Sequence, residues 1–574
     1  MSIAIYRLEL LQFIRHAFSP SAIYYFRVSR LIQYLLAFAG AGKFKKIDTD
    51  AINNFSSINA RTVNTCAEYL FNSFGKDYTA VQFIAEKLAG QTDAAKSYYL
   101  KFLADRRLSD VMLYVESLKA FEKQENIHFG TISVPRDVKP YLDALSLDSG
   151  KRTVIYQCIF RDILQLGLCL AVLLRRCLIT RNTRLPFSVK QVKYVTELID
   201  LDCFKGEMGH PDFVERLLHL SPDEVAYFKF TSNGFKSAIR KNSRSEIRDF
   251  VKNNNIKYID ADSLRAKSIS KFNISRWTLK VLLKKPFSLI DTIILIDFLT
   301  QLYTYHALFD NFPCVKAIIT FTFPSGQTSW RWNSGVITGV SRLHKVESIG
   351  CQTRAFYLYK YDDVLDCFDR FYFWSPLWYT ALKKYMGHIK HVDYFEDLSL
   401  IVPVSCRPSR EKPCRDIVTA VAFPSDCSYS QHYNIRYNTN FLKALFSVCE
   451  RFDNIRILLK PKDPENMIAY RSIPQIDELF KQYSDRMIVV EQKRGDVWSL
   501  LKTADIVLGI GFTNPAVQSA LAGYRVLIYE ELCHYNECMR AVGMEIASSV
   551  NEFVDKCGKA IEDISAQSLI SKDG

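Results

Sequence analysis

Asp505-Ile506-Val507-Leu508-Gly509-Ile510-Gly511-Phe512-Thr513-Asn514-Pro515 decides how the rest of the chain is read. An unbroken β-branched and apolar run of this length is a fully buried strand, and it stops at glycines. Thr513 then stands where a helix is capped, with Asn514 or Pro515 opening the first turn. A strand that passes at once into a helix is half of a βαβ unit. Glycines at the join let backbone come close to a ligand, and the free N–H groups of a helix start suit a phosphate or diphosphate.

Working outward, the same alternation recurs on both sides. Strands are expected at Asp416–Phe423, Ile455–Leu459, Met487–Glu491 and Arg525–Tyr529, with helices near Asn438–Arg451, Pro474–Tyr483, Asp496–Lys502 and Asn514–Ala522. Short buried strands separated by helices imply a mostly parallel sheet. The strand at 455–459 runs into Lys460-Pro461-Lys462, so two lysines are expected at its carboxyl end, on the same crevice as Gly509 and Gly511. Cations there would neutralise a donor phosphate.

Before this unit lies a stretch with Pro403, Pro408 and Pro413 among Ser, Arg and Glu, read as a linker over residues 396–415. A second alternating region precedes it. Glu224–Phe230 reads as a strand, Ser232-Asn233-Gly234 as a turn, Phe235–Asn253 as an amphipathic helix and Ile256–Ile259 as a strand. A helix follows at 287–308, then strands at Val315–Thr322, near Val346–Gly350 and at Arg370–Trp374. The fold class expected is therefore α/β with two Rossmann-like domains, residues 151–395 and 416–574, joined by the linker. Residues 1–150 show helical spacing instead, as in Ala80, Val81, Phe83, Ile84 and Leu88, followed by Tyr98, Tyr99, Phe102 and Leu103, and read as a helical accessory region.

The composition narrows the function. The chain has 574 residues, a net charge of +14 and 48% hydrophobic residues, with no low-complexity tract, so it is a large globular protein. The positive balance suits phosphorylated donors, acidic glycans or an anionic bilayer. With no basic tail and no zinc-finger or RNA-recognition signature, nucleic acid is not an expected partner. Fifteen Cys are scattered singly, which suits a reducing cytoplasm. Cys533, His534 and Cys538 lack a fourth ligand, and no metal is expected. Asp260-Ala261-Asp262 reads as a helix-capping turn and not as a metal motif. No cleavable leader is expected at the N-terminus, where Arg7, Arg15, Arg27 and Arg30 break the apolar stretches. Residues 1–42 either lie on an anionic membrane or pack on their own domain. The longest apolar run, Ile163–Leu174, is too short to span a bilayer and reads as a buried helix.

The succession from Lys460-Pro461-Lys462 through the strand ending at Gly509 to Ala516–Gly523 and Val526 resembles the C-terminal half of bacterial GT-B transferases. The nearest likeness is to capsule and lipopolysaccharide enzymes, including Kdo and sialic acid transferases and CDP-glycerol glycerophosphotransferases. Tyr305–Phe309, Val315–Thr322, Ile349–Gln352 and Asp369–Trp378 are similar to the acceptor half, so the resemblance covers residues 220–535. It implies a glycosyltransferase that moves a sugar from a nucleotide-sugar donor, CMP-sugar favoured, to a polysaccharide or glycolipid, with the donor as substrate and no separate cofactor. It also implies a cytoplasmic enzyme, peripheral at the inner membrane. Donor contacts are then expected from Lys460, Pro461, Lys462, Gly509, Gly511, Thr513, Asn514 and Gln518, and acceptor or phosphate contacts from Gln352, Arg354 and His432. The catalytic base is sought among Asp362, Asp363, His344 and Glu347, in loops of the acceptor half. The chain departs from the pattern in three places. It has Lys460-Pro461 where such enzymes carry His-Pro, Gln352-Thr353-Arg354 where they carry Gln-His-Gly, and Gln518 where related enzymes often use Glu to hold ribose. The alternatives are a nucleotide-sugar epimerase of the same architecture, or a non-catalytic scaffold that binds glycan or a partner.

Overall fold

Among the described residues of the computed structural model every strand pair is parallel, and the strands fall into three sheets. The structure describes residues 2–8, 23–28, 44–46, 79–100, 118, 122, 125–127, 129–135, 152–156, 159–178, 188–197, 213–229, 252–253, 256–260, 264–283, 289–322, 334–352, 367–376, 379–380, 389–395, 417–424, 435–461, 465–490, 497–511, 513–531, 539–540 and 542–570.

The first sheet holds β1 (Ser2–Leu8), β2 (Ile23–Val28), β3 (Phe44–Lys46), β4 (Phe129–Pro135) and β5 (Arg152–Tyr156) in the order 3-2-1-4-5. The second holds β6 (Tyr194–Glu197), β7 (Val225–Lys229), β8 (Tyr258–Asp260), β9 (Ala317–Thr322), β10 (Glu347–Gln352), β11 (Phe368–Phe373) and β12 (Ile389–Tyr394), ordered β8-β7-β6-β9-β10-β11-β12. The third holds β13 (Val418–Phe423), β14 (Ile455–Leu459), β15 (Met487–Val489), β16 (Ile506–Ile510), β17 (Val526–Tyr529) and β18 (Glu545–Ala547), ordered β15-β14-β13-β16-β17-β18. In each sheet the chain builds outward from its first strand, then returns past that strand and builds the other way. The reversal falls between the first and fourth strands, and this is the doubly wound order in which crevices open at strand carboxyl ends.

The two Rossmann-like units expected from the sequence are these second and third sheets. The helical reading of residues 1–150 is corrected. Helices are present, as α1 (Thr79–Lys87) and residues 92–100, but the same region also supplies four strands of a parallel sheet. Arg27 and Arg30, spaced through Tyr24–Ile32, resemble the polar side of an amphipathic segment, yet β2 is an interior strand with Ile23 and Tyr24 buried. Strand pairing over long sequence distances overrides local spacing here.

The first sheet shares a buried cluster with the second, from Ala4, Tyr24, Phe129 and Ile132 to Val195, Phe228 and Ile318. At its centre is α4 (Leu289–Asn311), flanked by α2 (Ile159–Leu178), α3 (Lys271–Leu283) and α5 (Ser334–Leu343). A helix apolar all round must be enclosed, and α4 carries Ile293 to Ile296, Phe298, Leu299 and Leu302 at 0% exposure. Its polar groups are answered locally. Tyr99 donates to Asp291 Oδ1 and Tyr98 to Asp297 Oδ2, both at 2.7 Å, which ties residues 92–100 to this helix. A second cluster runs from Phe371, Phe373, Trp374 and Phe395 to Val421, Phe423 and Val507, so the second and third sheets also share buried apolar surface.

Gly350, inside β10, sits so close to β11 that a Cβ would fall 2.5 Å from Phe371 Cδ2 and 2.7 Å from the Phe368 ring. Gly350→Ala is therefore expected to cost about 1–3 kcal/mol through overpacking, read as a lowered thermal midpoint. Gly167→Ala, on an open helix face with nothing within 4 Å, serves as the control that does not lose stability.

Candidate functional site

The third sheet reverses between β13 and β16, so the crevice opens beyond Phe423 and Ile510. On the β16 side, Gly511 adopts φ +57°, a left-handed turn that favours glycine, and α7 (Asn514–Leu521) starts almost at once. A Cβ on Gly509 would stand 2.9 Å from Ile528 Cδ1 of β17 and 3.4 Å from Ala516 Cβ of α7, so the bare glycine lets strand and helix pack close. Thr513 occupies the N-cap with φ −109° and ψ 150°, as expected, but its side chain caps nothing. Its Oγ1 is buried and has no hydrogen-bond partner among the described residues. A buried hydroxyl without a partner is costly in a finished structure, and a ligand oxygen at this helix start would answer it. One turn on, Gln518 is buried at 2% exposure. The side chain of Asn514 and residues 462 and 512 lie outside what the structure describes.

On the other side of β13, Lys460 follows β14. Its backbone N–H donates to Ala422 O at 2.9 Å, continuing the ladder; the residue is 6% exposed, and its ammonium donates to Pro461 O at 3.3 Å. Pro461 is buried beside it. Burying an ammonium is expensive unless charge and hydrogen bonds compensate. The structure thus brings together Lys460, Pro461, Gly509, Gly511, Thr513 and Gln518 around one sheet edge.

One charged group at this edge was not singled out from the sequence. Glu530, directly after β17, is 1% exposed; its N–H donates to Ala547 O at 2.8 Å, and its Oε1 accepts from Tyr437 Oη at 3.2 Å. Tyr437 lies in the first turn of α6 (Ile435–Arg451), the helix that follows β13. Asn438 beside it is fully buried and accepts from Tyr470 Oη at 3.2 Å. The available signal was an acidic pair, Glu530-Glu531, immediately after a four-residue buried strand.

The catalytic candidates separate. Asp362, Asp363, Arg354 and His432 lie outside the described residues, as do Cys533, His534 and Cys538. His344 and Glu347 are at the wrong end of the sheet for a crevice base. Glu347 opens β10, whereas the crevice edge is at Gln352, about 16 Å away at 3.3 Å per residue. Glu347 accepts from Arg370 Nε at 2.9 Å, and Arg370 also pairs with Asp393, a charge ladder across β10, β11 and β12. His344 Nε2 meets His306 Nδ1 at 2.8 Å, away from the crevice. Periodicity finds a strand but does not say which of its ends carries the site. Gln352 is at the crevice end and fully buried, but its side chain braces the sheet: Oε1 accepts from Trp374 N–H at 2.9 Å, and its carbonyl accepts from the Trp374 indole at 2.9 Å.

Comparison with known proteins gives likeness in architecture. Among solved structures, MurG of Acinetobacter baumannii aligns with 62% of this chain and 85% of its own at 9% identity and TM-score 0.32. UDP-GlcNAc 2-epimerase of Neisseria meningitidis, bound to UDP-GlcNAc, aligns over 66% and 93% at 8% identity and TM-score 0.38. HepE of Anabaena, in complex with UDP and glucose, aligns over 66% and 94% at 11% identity and TM-score 0.38. Likeness at this level carries no argument about reaction or ligand. No curated protein matches the chain. Residues 421–554, which include Lys460, Gly511, Thr513, Gln518 and Glu530, match the family model described as polysaccharide biosynthesis PFTS motif protein.

Proposed function

We propose that this protein is a glycosyltransferase that moves a sugar from a nucleotide-activated donor, CMP-sugar favoured, to a growing surface polysaccharide or glycolipid at an inner membrane surface. The observation that carries this reading is a buried lysine, Lys460, and a buried hydroxyl, Thr513, that has no partner among the described residues, standing on the two sides of the β13 carboxyl end. The match of residues 421–554 to a polysaccharide-biosynthesis family model supports the same class.

In this reading the donor diphosphate or phosphate lies at the start of α7. The acceptor hydroxyl forms a bond to the anomeric carbon as that carbon's bond to the phosphate oxygen breaks. The nucleotide leaves with the electron pair, and Lys460 with the α7 amides stabilises its charge. The donor is a substrate, and no separate cofactor or protein-bound metal takes part. The hydroxyl proton passes to Asp362 or Asp363, the remaining base candidates. In this reading Gln518 and Glu530 contact the nucleoside.

The test is a titration of the protein with CMP, CDP, UDP and GDP, followed by thermal shift and calorimetry. Lys460→Met, which keeps the apolar stem, is expected to weaken the preferred nucleotide by about 10- to 100-fold, the range of a charged hydrogen bond. Thr513→Val is expected to weaken it several-fold. Stabilisation by no nucleotide, or equal affinity in wild type and Lys460→Met, removes the donor site from this crevice.

A further inference from the structure

The apolar run 163–174 is a helix, but it is not buried on all sides as expected. Leu166, Cys169, Leu170 and Leu173 of α2 face the core. The opposite face is open, with Ile163 at 55%, Leu164 at 67%, Leu168 at 43% and Leu174 at 59% exposure, and with Gly167 and Ala171 exposed between them. These positions repeat every three or four residues, so they form a single stripe three turns long that carries no charge. Scattered surface leucines need no explanation; a continuous stripe does.

A second surface helix packed on α4 has the same property with charges added. On α3, Ile274 and Val281 are buried, whereas Phe272 is 73%, Leu279 56% and Leu283 71% exposed. At 100° per residue Phe272, Arg276, Leu279 and Leu283 fall on one stripe, with Lys280 at its side; Arg276 and Lys280 are exposed. Residues 271–285 contain five Lys or Arg and no Asp or Glu. Arg161, Asp162, Arg175 and Arg176 stand near the two ends of the α2 stripe in sequence, basic in balance.

We infer that α2 and α3 are the membrane-contacting surface of this protein, and that they lie on an anionic bilayer with their leucine and phenylalanine side chains among the acyl chains. Basic side chains interleaved with exposed apolar ones complement anionic headgroups while their stems add to the apolar contact. Among the described residues no helix is long and apolar enough to cross a membrane, so the contact is parallel to the surface. A second copy of the chain is a poorer occupant of α3, where an isologous dimer would set the acid-free basic stretch against its own like charge. The inference locates the membrane-surface part of the proposed function and does not depend on its donor chemistry. It also moves that surface away from the first forty residues, where β2 is an interior strand.

The measurement is flotation of the full-length protein with vesicles of phosphatidylcholine alone and of phosphatidylcholine with phosphatidylglycerol, at low and raised salt. Wild type is expected to float with the anionic vesicles and to lose at least about tenfold in apparent affinity without phosphatidylglycerol or at raised salt. Leu164→Gln/Leu168→Gln and Arg276→Glu/Lys280→Glu are each expected to lose at least about tenfold, with thermal midpoints and nucleotide titrations unchanged. Flotation that is absent, or that persists in both double variants, overturns the inference. So does sedimentation showing a dimer that Leu164→Gln/Leu168→Gln dissociates, which would assign the stripe to a second copy. Nucleotide titration of the same samples separates this failure from failure of the donor site.

Discussion

Asp369→Ala is expected to cost about 3–5 kcal/mol of stability, the range for removing one partner of a buried ion pair. Asp369 is the second residue of β11, and its side chain is 12% exposed. It accepts from Arg342 Nε at 2.9 Å, pairs with Lys390 at 3.0 Å, and accepts from Ser348 N and Oγ at 3.2 and 3.0 Å. Ser348 Oγ in turn accepts from Thr338 and from the Asp369 N–H, so the network joins α5, β10 and β11. Without the carboxylate, Arg342 keeps Asp93 at 3.1 Å as an ionic partner while one of its terminal nitrogens is already buried without a partner among the described residues. Burial would raise the Asp369 carboxyl, but Lys390 and Arg342 outweigh it and hold the group below the ordinary carboxylate value. A depressed carboxylate contributes stability above its unfolded value of about 4 and loses it as pH falls through the folded value. Thermal melts should therefore show a large gap between wild type and Asp369→Ala at pH 7 that narrows below about pH 4. Asp369→Asn should fall between the two. An alanine variant as stable as wild type would mean that the network contributes nothing net.

Lowering the pH from 7 to 5 is expected to remove about 2 kcal/mol of stability through His306 alone, out of about 3 kcal/mol available by pH 4. His306 lies on α4 at 7% exposure, with its Nδ1 3.0 Å from Ser268 Oγ and 2.8 Å from His344 Nε2. Burial first, and then the neighbouring His344 imidazole, push it down from 6.5 to about 4, against a smaller opposing pull from Asp310. Burial also lowers His344. The unfolded chain takes up protons from about pH 6.5 while the folded one resists until about pH 4. The contribution is therefore complete above pH 6.5 and is lost as pH falls towards 4. Urea midpoints at pH 7, 6 and 5 should fall in wild type and fall less in His306→Asn. Identical slopes in the two proteins would show that the imidazole pair is not the titrating element.

The parts of this protein legible in its sequence are those specified by neighbouring residues. The strands at 225–229, 317–322, 418–423, 455–459 and 506–510 announce themselves as short apolar runs rich in β-branched or aromatic residues, and Gly511, Thr513 and Pro515 mark a strand that turns into a helix. Lys460 was found because it follows such a strand, and strand carboxyl ends are where doubly wound sheets bind ligands. Glu530 was missed although it follows a strand in the same way, because an acid after a strand reads equally well as a solvated turn. His344 and Glu347 are polar and near a strand, but they stand at its amino end, and in a parallel sheet that end faces away from the crevice.

From the sequence by itself come the α/β class, the two alternating regions and the glycine and lysine loops of the crevice. These are local signals: apolar periodicity and backbone punctuation act within a few residues. Only the tertiary structure decided that residues 1–156 contribute a third parallel sheet, that Lys460 and Glu530 are buried at one edge, and that one face of the 163–174 helix is bare. Strand order, burial and exposure depend on residues hundreds of positions away, and an apolar stretch has the same spacing whether its neighbour is a core, a bilayer or water.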